Sequence, residues 1–524
     1  MTTMQRDVLI GIDAGTSVIK AVGFDLSGRQ LGAASVANRY ATGARGAATQ
    51  DMARTWDDCA AALRALADHI PDLAARTAAL SVTGQGDGTW LVGDDGPVGD
   101  AWLWLDARAA PTVTRLGQDR ARFEATGTGL NTCQQGAQMA HMDAHYPDLL
   151  DRARVALHCK DWLYLNLTGI RATDPSEASF TFGNFRTRAY DDAVIEALGL
   201  MHRRGLLPPI IDGTQVTHSL TIDAAAATGL LAGTPVSLGY VDMVMTALGA
   251  GVLGGAGDVA CSTVGSTGVH LRAVTADRVH LNDQGTGYVI CLPVPGMVTQ
   301  VQTNMAATLN LDWVLGLAAG ILSDMGQPVT HRDLVARLDG WLGQAAPGQI
   351  LYHPYISDAG ERGPFVDAGA RAGFTGLSAG HRYPDLVRAV AEGLGLAMRD
   401  CYAAMGPLPS ELRLTGGAAR SPALRAILSA ALDAPVRVSD RDEAGAAGAA
   451  MMAAVAIGAY PDMNACIAEW VTPLLRSPEA PDPHLAATYA RLFPAFAAAR
   501  KALPPIWNAL ATARAPLPGE THDT

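Results

Sequence analysis

Asp13-Ala-Gly15-Thr16-Ser17 lies between two apolar runs, Val8 to Ile12 and Val18 to Phe24. A turn of the same kind, Gly265-Ser266-Thr267-Gly268, lies between Val259 to Val264 and Val269 to Leu271. Each reads as a strand, a glycine-and-hydroxyl turn and a returning strand. After the first, Asp25-Leu-Ser-Gly28 makes another turn before Gln30 to Ala37, so a three-stranded antiparallel meander is predicted. Thr55 to Ile70 then has helical spacing through Trp56, Cys59, Leu63 and Leu66, and Ala79 to Thr83 returns as a short strand. A meander that passes into α/β alternation, with its turn repeated past the midpoint, constrains the chain to two related α/β halves. No period of roughly 20 to 50 residues is present, which argues against a solenoid. The glycine-rich stretch Gly249 to Gly257 separates the halves, so domains are expected at 1–253 and 254–524. Helical signal dominates the second half from Pro384 to Met405 and from Ala444 to Ala456, and the tail after Arg514 is expected to fray.

The turns suggest phosphate. Gly15 allows a tight turn whose N–H groups, with the hydroxyls of Thr16 and Ser17, form a cradle for phosphate oxygens. Asp13, at a strand end, suits Mg²⁺. An ordinary hairpin in which Asp and Thr satisfy their own turn is the alternative, and the matching turn at residue 265 weighs against it, because two facing hairpins make a clamp. The chain has only three lysines, Lys20, Lys160 and Lys501, and none follows a G-x-x-x-x-G, so a P-loop is excluded. The role of Lys20, just beyond the first turn, stays open.

Other motifs carry polar groups on glycine-flanked loops. Thr83-Gly-Gln85-Gly-Asp87-Gly88 follows a strand without matching the dinucleotide fingerprint, and its amide and carboxylate suit several hydroxyls. Trp102-Leu-Trp104-Leu-Asp106-Ala-Arg108 mixes aromatic faces with polar groups, as a sugar or polyol pocket does. In Gly239-Tyr-Val-Asp242 a strand ends in one carboxylate before a helix. Capping that helix is the commoner role for such an Asp, and a general base at a strand end is the other. Thr415-Gly416-Gly417-Ala-Ala-Arg-Ser421-Pro is a strand, a glycine turn and a Pro-started helix, which lets a flat ring or phosphate approach. Three further patterns are set aside. Gly376-x-Ser378-x-Gly380 is not followed directly by a helix. His141 and His145 lack an H-E-x-x-H setting and read as surface histidines of an amphipathic helix. His353 has no metal partner in sequence.

Composition excludes several classes. The net charge is −12 with no basic block, against a nucleic-acid binder. The seven cysteines are scattered without a C-x-x-C pair, so neither a disulfide framework nor a zinc cluster is expected, and a cytoplasmic location fits. Ala444 to Tyr460 is Ala/Gly-rich and reads as a tightly packed internal helix rather than a membrane span.

In order along the chain, Gly11-Ile-Asp13-Ala-Gly15-Thr16-Ser17, Gly84-Gln-Gly-Asp87-Gly88, Trp104-x-Asp106-x-Arg108, Lys160-Asp-Trp-Leu163, Gly239-x-x-Asp242, Gly265-Ser-Thr-Gly268 and Thr415-Gly-Gly-Ala418 resemble the FGGY carbohydrate kinases. Ala372-Gly-Phe-Thr-Gly-Leu377, with Asp385-Leu386 and Ala389-Val-Ala-Glu392, resembles that family's second signature, although Ala391 stands where a larger apolar residue is usual. The resemblance runs from about residue 7 to residue 456. It implies two ribonuclease-H-like, actin-like ATPase domains flanking a cleft, with ATP and Mg²⁺ as cofactors. Asp13, Gly15, Thr16 and Ser17 would sit at the phosphates and metal, with Gly265, Ser266 and Thr267 opposite. Gly416, Gly417 and Ser421 would lie at the adenosine end. Gln85, Asp87, Trp104 and Asp106 would hold the acceptor, and Asp242 would be the base and a second metal contact. For Asp242 the resemblance thus favours catalysis over capping. Gly86-Asp87 stands where xylulose kinases usually have Met-His and glycerol kinases Arg-Glu, and Cys133-Gln134 where glycerol kinases place a tyrosine. The runs Thr83 to Leu91 and Trp102 to Arg108 look most like the erythritol kinases of the family. Erythritol is therefore the expected acceptor, with xylulose or L-xylulose next and a non-kinase actin-like ATPase as the remote alternative. Relatives commonly form homodimers, and nothing in the sequence locates an interface.

Overall fold

A computed structural model describes residues 6–253 and 258–514. The first half is built on a six-stranded sheet. Its strands are β1 (Val8–Ala14), β2 (Val18–Asp25), β3 (Gln30–Ala37), β4 (Thr77–Gly84), β5 (Thr217–Ser219) and β6 (Pro235–Leu238), in the order β5-β6-β4-β1-β2-β3. β1, β2 and β3 are the antiparallel meander, whereas β4 and β6 run parallel to β1. Parallel central strands are covered on both faces, which is why Val8, Leu9, Ile10, Ile12 and Ala14, on both faces of β1, are all apolar and fully buried. Helix α1 (Met52–Leu66) lays its buried face, including Cys59, Leu63 and Leu66, on this sheet. Asp51 caps it by accepting a hydrogen bond from Arg54 N.

The second half repeats the plan. Strands β7 (Val259–Val264), β8 (Gly268–Thr275), β9 (Tyr288–Cys291), β10 (Met297–Asn304), β11 (Glu411–Thr415) and β12 (Val436–Val438) order as β9-β10-β8-β7-β11-β12. β7, β8 and β10 form the antiparallel part, and β11 and β12 are parallel to β7. This is the ribonuclease-H-like, actin-like pair of domains that the resemblance implies. The expected boundary at 253/254 and the tail after Arg514 fall partly or wholly outside the described residues.

The halves meet through two helices, α2 (Asp242–Gly249) and α3 (Ala444–Ala456). Their contact depends on missing side chains. A Cβ on Gly249 would lie 2.0 Å from Ala444 O, and one on Gly448 would lie 2.1 Å from Met245 O. Gly11 of β1 approaches the same helix so closely that its Cβ would be 1.8 Å from Ala446 O. The Ala/Gly stretch is thus a packed internal helix, as expected. One apolar cluster runs from Leu9 and Val22 through Val244 and Met245 to Ala446 and Met451. No helix among the described residues is long and apolar enough to cross a membrane.

Candidate active site

In parallel sheets, ligand sites form beyond the carboxyl ends of the strands. Asp13 ends β1, Gln85 follows β4, and Asp242 follows β6, and pairing places these ends side by side (Asp13↔Thr83, Leu238↔Val82). In the other half, Thr263↔Thr415 pairing sets the Gly265 hairpin beside Gly416. Gly416 adopts a left-handed φ of 82° and passes so close to β7 that a Cβ would lie 2.7 Å from Val264 O. Thr308 N and its hydroxyl both donate to Gly265 O, and Ala307 N donates to Ser266 O, which anchors that hairpin from behind.

A cleft of about 740 Å³ opens between the halves. Asp13, Lys20, Thr246, Thr263, Gly416, Gly417 and Glu443 are among its lining residues. Lys20 pairs with Glu443 across it at 2.7 Å, which gives the lysine a place facing the cleft. Ser266 and Thr267 are exposed at the hairpin tip and are not part of this lining, and neither are Gly15, Thr16 and Ser17. Ser421, expected at the adenosine end, is committed elsewhere: its hydroxyl accepts from Leu424 N as a helix cap and donates to Asp339. Both bonds tie Ser421 to its own helix and to Asp339, and one lone pair of the hydroxyl is left over.

The residues expected at the acceptor form a network. Thr16 Oγ1 donates to Gln85 Oε1 and accepts from Trp104 Nε1, both at 2.9 Å, and Gln85 Nε2 donates to Gln50 at 2.7 Å. The Asp13–Ser17 turn and the Gln85 loop are therefore mechanically joined. Asp106 differs from expectation. It is fully buried, and its carboxylate accepts from Ala48 N, Arg108 N and the Arg108 guanidinium, which itself stacks 3.4 Å over the Trp102 ring. With its oxygens filled, Asp106 fixes the Trp104 loop rather than meeting a ligand. Asp242 is the first residue of α2, and Val241 takes the capping position, so the local capping assignment fails. Its Oδ1 accepts from the adjacent Met243 N at 2.6 Å. His141 is also corrected, being buried and bonded to Thr112 Oγ1 at 2.9 Å rather than lying on the surface.

Electrostatics single out a group of carboxyls. Burial, reinforced by the neighbouring Asp13 and Asp87, pushes the Asp242 carboxyl up to about 7. Burial raises Asp13 to about 6 against the pull of Lys20, with Glu443 adding to the rise. Asp87 is likewise raised by burial to about 6, opposed by a hydrogen bond with Cys133 and by the charges of His158 and Arg362. Asp13 lines the cleft, whereas Asp242 and Asp87 do not, and the charges of Asp13 and Asp87 both act on Asp242; carboxyls raised together in this way mark a candidate functional site. Among the described residues no cluster of three or more metal-ligating side chains occurs. Asp13 and Asp242 nevertheless fit Mg²⁺ in the manner usual at phosphate sites, where one or two carboxylates share the ion with phosphates and water. The missing side chain of Gly445 leaves Asp13 its room, since a Cβ there would be 2.3 Å from Asp13 Oδ2.

Sequence reasoning missed His158, Glu177, Arg362 and Tyr288 here, and named Lys160 and Asp161 only within the family motif. His158 bonds Asp161 and lies 3.5 Å from Glu177. Lys160, fully buried, pairs with Asp161 at 2.6 Å and with Asp174. Lys160 and His158 hold Asp161 near 2 despite burial, whereas burial pushes Glu177 up to about 8. Arg362 and Tyr288 reach this side from the second half, and Cys133 Sγ is 3.6 Å from the Tyr288 hydroxyl. The available signal for Arg362 was a charged pair enclosed by glycines, Gly360-Glu-Arg-Gly363.

Comparison with known proteins agrees with this geometry. The N-terminal domain model of the FGGY family of carbohydrate kinases matches residues 8–249, and the C-terminal domain model matches residues 260–457. The chain belongs to the FGGY family of carbohydrate kinases. It is 70% identical over 512 residues to an erythritol kinase of Brucella abortus, covering 97% of this chain and 98% of that one. An L-xylulose/3-keto-L-gulonate kinase of Escherichia coli is 27% identical over 466 residues, covering 86% and 88%. The crystal structure of a xylulose kinase from Rhodospirillum rubrum superposes with a TM-score of 0.85 at 25% identity, covering 96% of this chain and all of that one.

Proposed function

We propose that the protein transfers the γ-phosphoryl group of ATP to a terminal hydroxyl of erythritol, giving erythritol 4-phosphate. The observation that carries this is the 70% identity, over nearly the whole of both chains, to the erythritol kinase of Brucella abortus. Gly86-Asp87, in place of the pairs usual in xylulose and glycerol kinases, supports the same acceptor. The more distant xylulose-type relatives make pentuloses the rival substrates.

Phosphoryl transfer asks a protein mainly for in-line positioning and charge neutralisation. The hydroxyl oxygen forms the new bond to phosphorus as the bond to ADP breaks, and the hydroxyl proton passes to Asp242. Burial raises the Asp242 carboxyl to about 7, and Mg²⁺ held beside it would lower that value, so the group is a carboxylate able to accept a proton at neutral pH. Asp13 and Asp242 would hold Mg²⁺, which supplies neutralisation of phosphate charge when bound. Gly15, Thr16, Ser17 and the hairpin Gly265-Ser266-Thr267 would grip the phosphates from opposite halves, Gly416 and Gly417 would face the adenosine, and Gln85, Asp87 and Trp104 would position the acceptor. The Lys20–Glu443 pair can exchange partners with an arriving phosphate, since Lys20 is 39% exposed. Incubation of the protein with Mg-ATP and erythritol, followed by phosphorus NMR, should show ADP and a phosphomonoester on a terminal carbon. ADP without an ester would remove the proposal, and an ester formed from a pentulose alone would replace its substrate.

A further inference from the structure

Asp87 does not stand alone at its end of the acceptor site. It occupies a left-handed conformation with φ 57°, a backbone state that non-glycine residues keep only where surroundings hold it. Its Oδ1 is buried without a hydrogen-bond partner. Beside it, Gly86 lies against Glu177, where a Cβ would be 3.2 Å from Glu177 Oε1 and 2.4 Å from Val241 Cγ2. Gly86 thus lies between Glu177 Oε1 and Val241, the residue in the capping position of α2. Glu177 is fully buried; its Oε2 faces His158 Nε2 at 3.5 Å, and its Oε1 has no hydrogen-bond partner. Native structures rarely leave so many buried polar atoms unpaired, and each calls for an explanation.

The opposite half supplies a donor. Arg362 Nε donates to Thr303 Oγ1 at 2.8 Å, and the preceding Glu361 accepts from Met305 N at 2.9 Å and Arg362 N at 2.8 Å, which fixes the turn. Thr303 lies two residues along β10 from Val301, which pairs with Tyr288; the Tyr288 hydroxyl meets Cys133 Sγ at 3.6 Å, and Cys133 O accepts from Gly88 N at 2.9 Å, next to Asp87. The charge of Arg362 accordingly acts on Asp87, Cys133 and Tyr288. Its terminal nitrogens make no hydrogen bond among the described residues. A hydroxyl group is donor and acceptor at once, so one hydroxyl can satisfy a carboxyl oxygen and a guanidinium N–H together. A methyl group in its place satisfies neither.

We propose that Glu177 and Arg362, from opposite halves of the molecule, complete a distal subsite around Asp87 that holds the acceptor hydroxyl farthest from the transferred phosphate. The inference rests on the acceptor reading given above and adds two specificity-determining residues to it. Because Arg362 comes from the second half, the subsite is whole only when both halves close on the acceptor.

The test compares erythritol with 1,2,3-butanetriol, which is erythritol with one terminal hydroxyl replaced by hydrogen. kcat/KM for both, and KM for ATP, are measured in the unaltered protein, in Glu177→Gln and in Arg362→Gln. The unaltered protein should prefer erythritol by on the order of 100-fold, as sites that hydrogen-bond a hydroxyl discriminate against its absence. Each variant should lose most of that preference by losing erythritol activity alone, with KM for ATP unchanged. If the preference persists in both variants, or if both acceptors and ATP suffer equally, the subsite is refuted. Arg362 is half-buried on a loop, so its variant serves even if Glu177→Gln destabilises the fold. Should the unaltered protein phosphorylate no erythritol, the acceptor reading fails separately, and the same comparison uses its best acceptor and that acceptor's terminal deoxy analogue.

Discussion

Asp242 works through its surroundings. An exposed aspartate would be a weak base at pH 7, whereas one buried next to Asp13 and Asp87 is raised to about 7. Replacing it by Asn keeps the shape and removes the base. Asp242→Asn should lower kcat by ~10²–10⁴-fold while calorimetric ATP affinity changes little, and a near-normal kcat would exclude the role. Glu177 carries a second consequence. Its folded value of about 8 exceeds the ordinary 4.5, so the folded protein holds a proton that the unfolded chain releases. The stability this confers is full below about 4.5 and is lost as pH rises toward 8. Glu177→Gln should therefore make the fall of unfolding free energy between pH 5 and 7 shallower by about 1.4 kcal/mol per pH unit, measured by urea titration at each pH. Which individual residues matter was only partly legible in the sequence. Asp13, Gln85, Asp87, Trp104 and Asp242 come together as the motifs implied, because each sits at a strand end or on a glycine-flanked turn. Asp106 and Ser421 did not, because whether a polar group faces a ligand or its own backbone depends on where Ala48, Arg108 and Asp339 end up.

At the level of elements, the strands and the long helices were readable. Val259 to Val264 and Gln30 to Ala37 form strands with those bounds, and Ala444 to Ala456 is a helix with those bounds. Their apolar runs and periodicity record how each is buried. Close packing was not readable, since nothing local marks Gly11, Gly249 or Gly448 as contact points. Gly11→Ala drives a Cβ into Ala446 O and should destabilise the protein by about 1–3 kcal/mol, the usual cost of overpacking. Gly320 is the control. It lies in the helix Thr308–Asp324 with open space around its would-be Cβ. Gly320→Ala should stabilise by about 0.5–1 kcal/mol through helix propensity and unfolded-state entropy. Thermal melts of the two variants should shift in opposite directions, and a shift in the same direction would contradict the packing assigned to β1.

For the whole molecule, the repeat of the glycine-and-hydroxyl turn foretold two related halves. What the linear sequence hid is the way residues of the two halves meet: Lys20 with Glu443, and Cys133 with Tyr288. A site divided in this way predicts closure. The radius of gyration by small-angle scattering should decrease when erythritol and a non-hydrolysable Mg-ATP analogue are added together, and less with either alone. The central claim, a polyol kinase acting on a four-carbon chain, is tested most directly by competition. Equimolar glycerol, erythritol, xylitol, D-xylulose and L-xylulose are offered in one reaction with limiting Mg-ATP, and the phosphate esters are counted by mass spectrometry. The account predicts that tetritol phosphate dominates the products. A pentulose phosphate in excess, or ATP consumed without any ester, would contradict it.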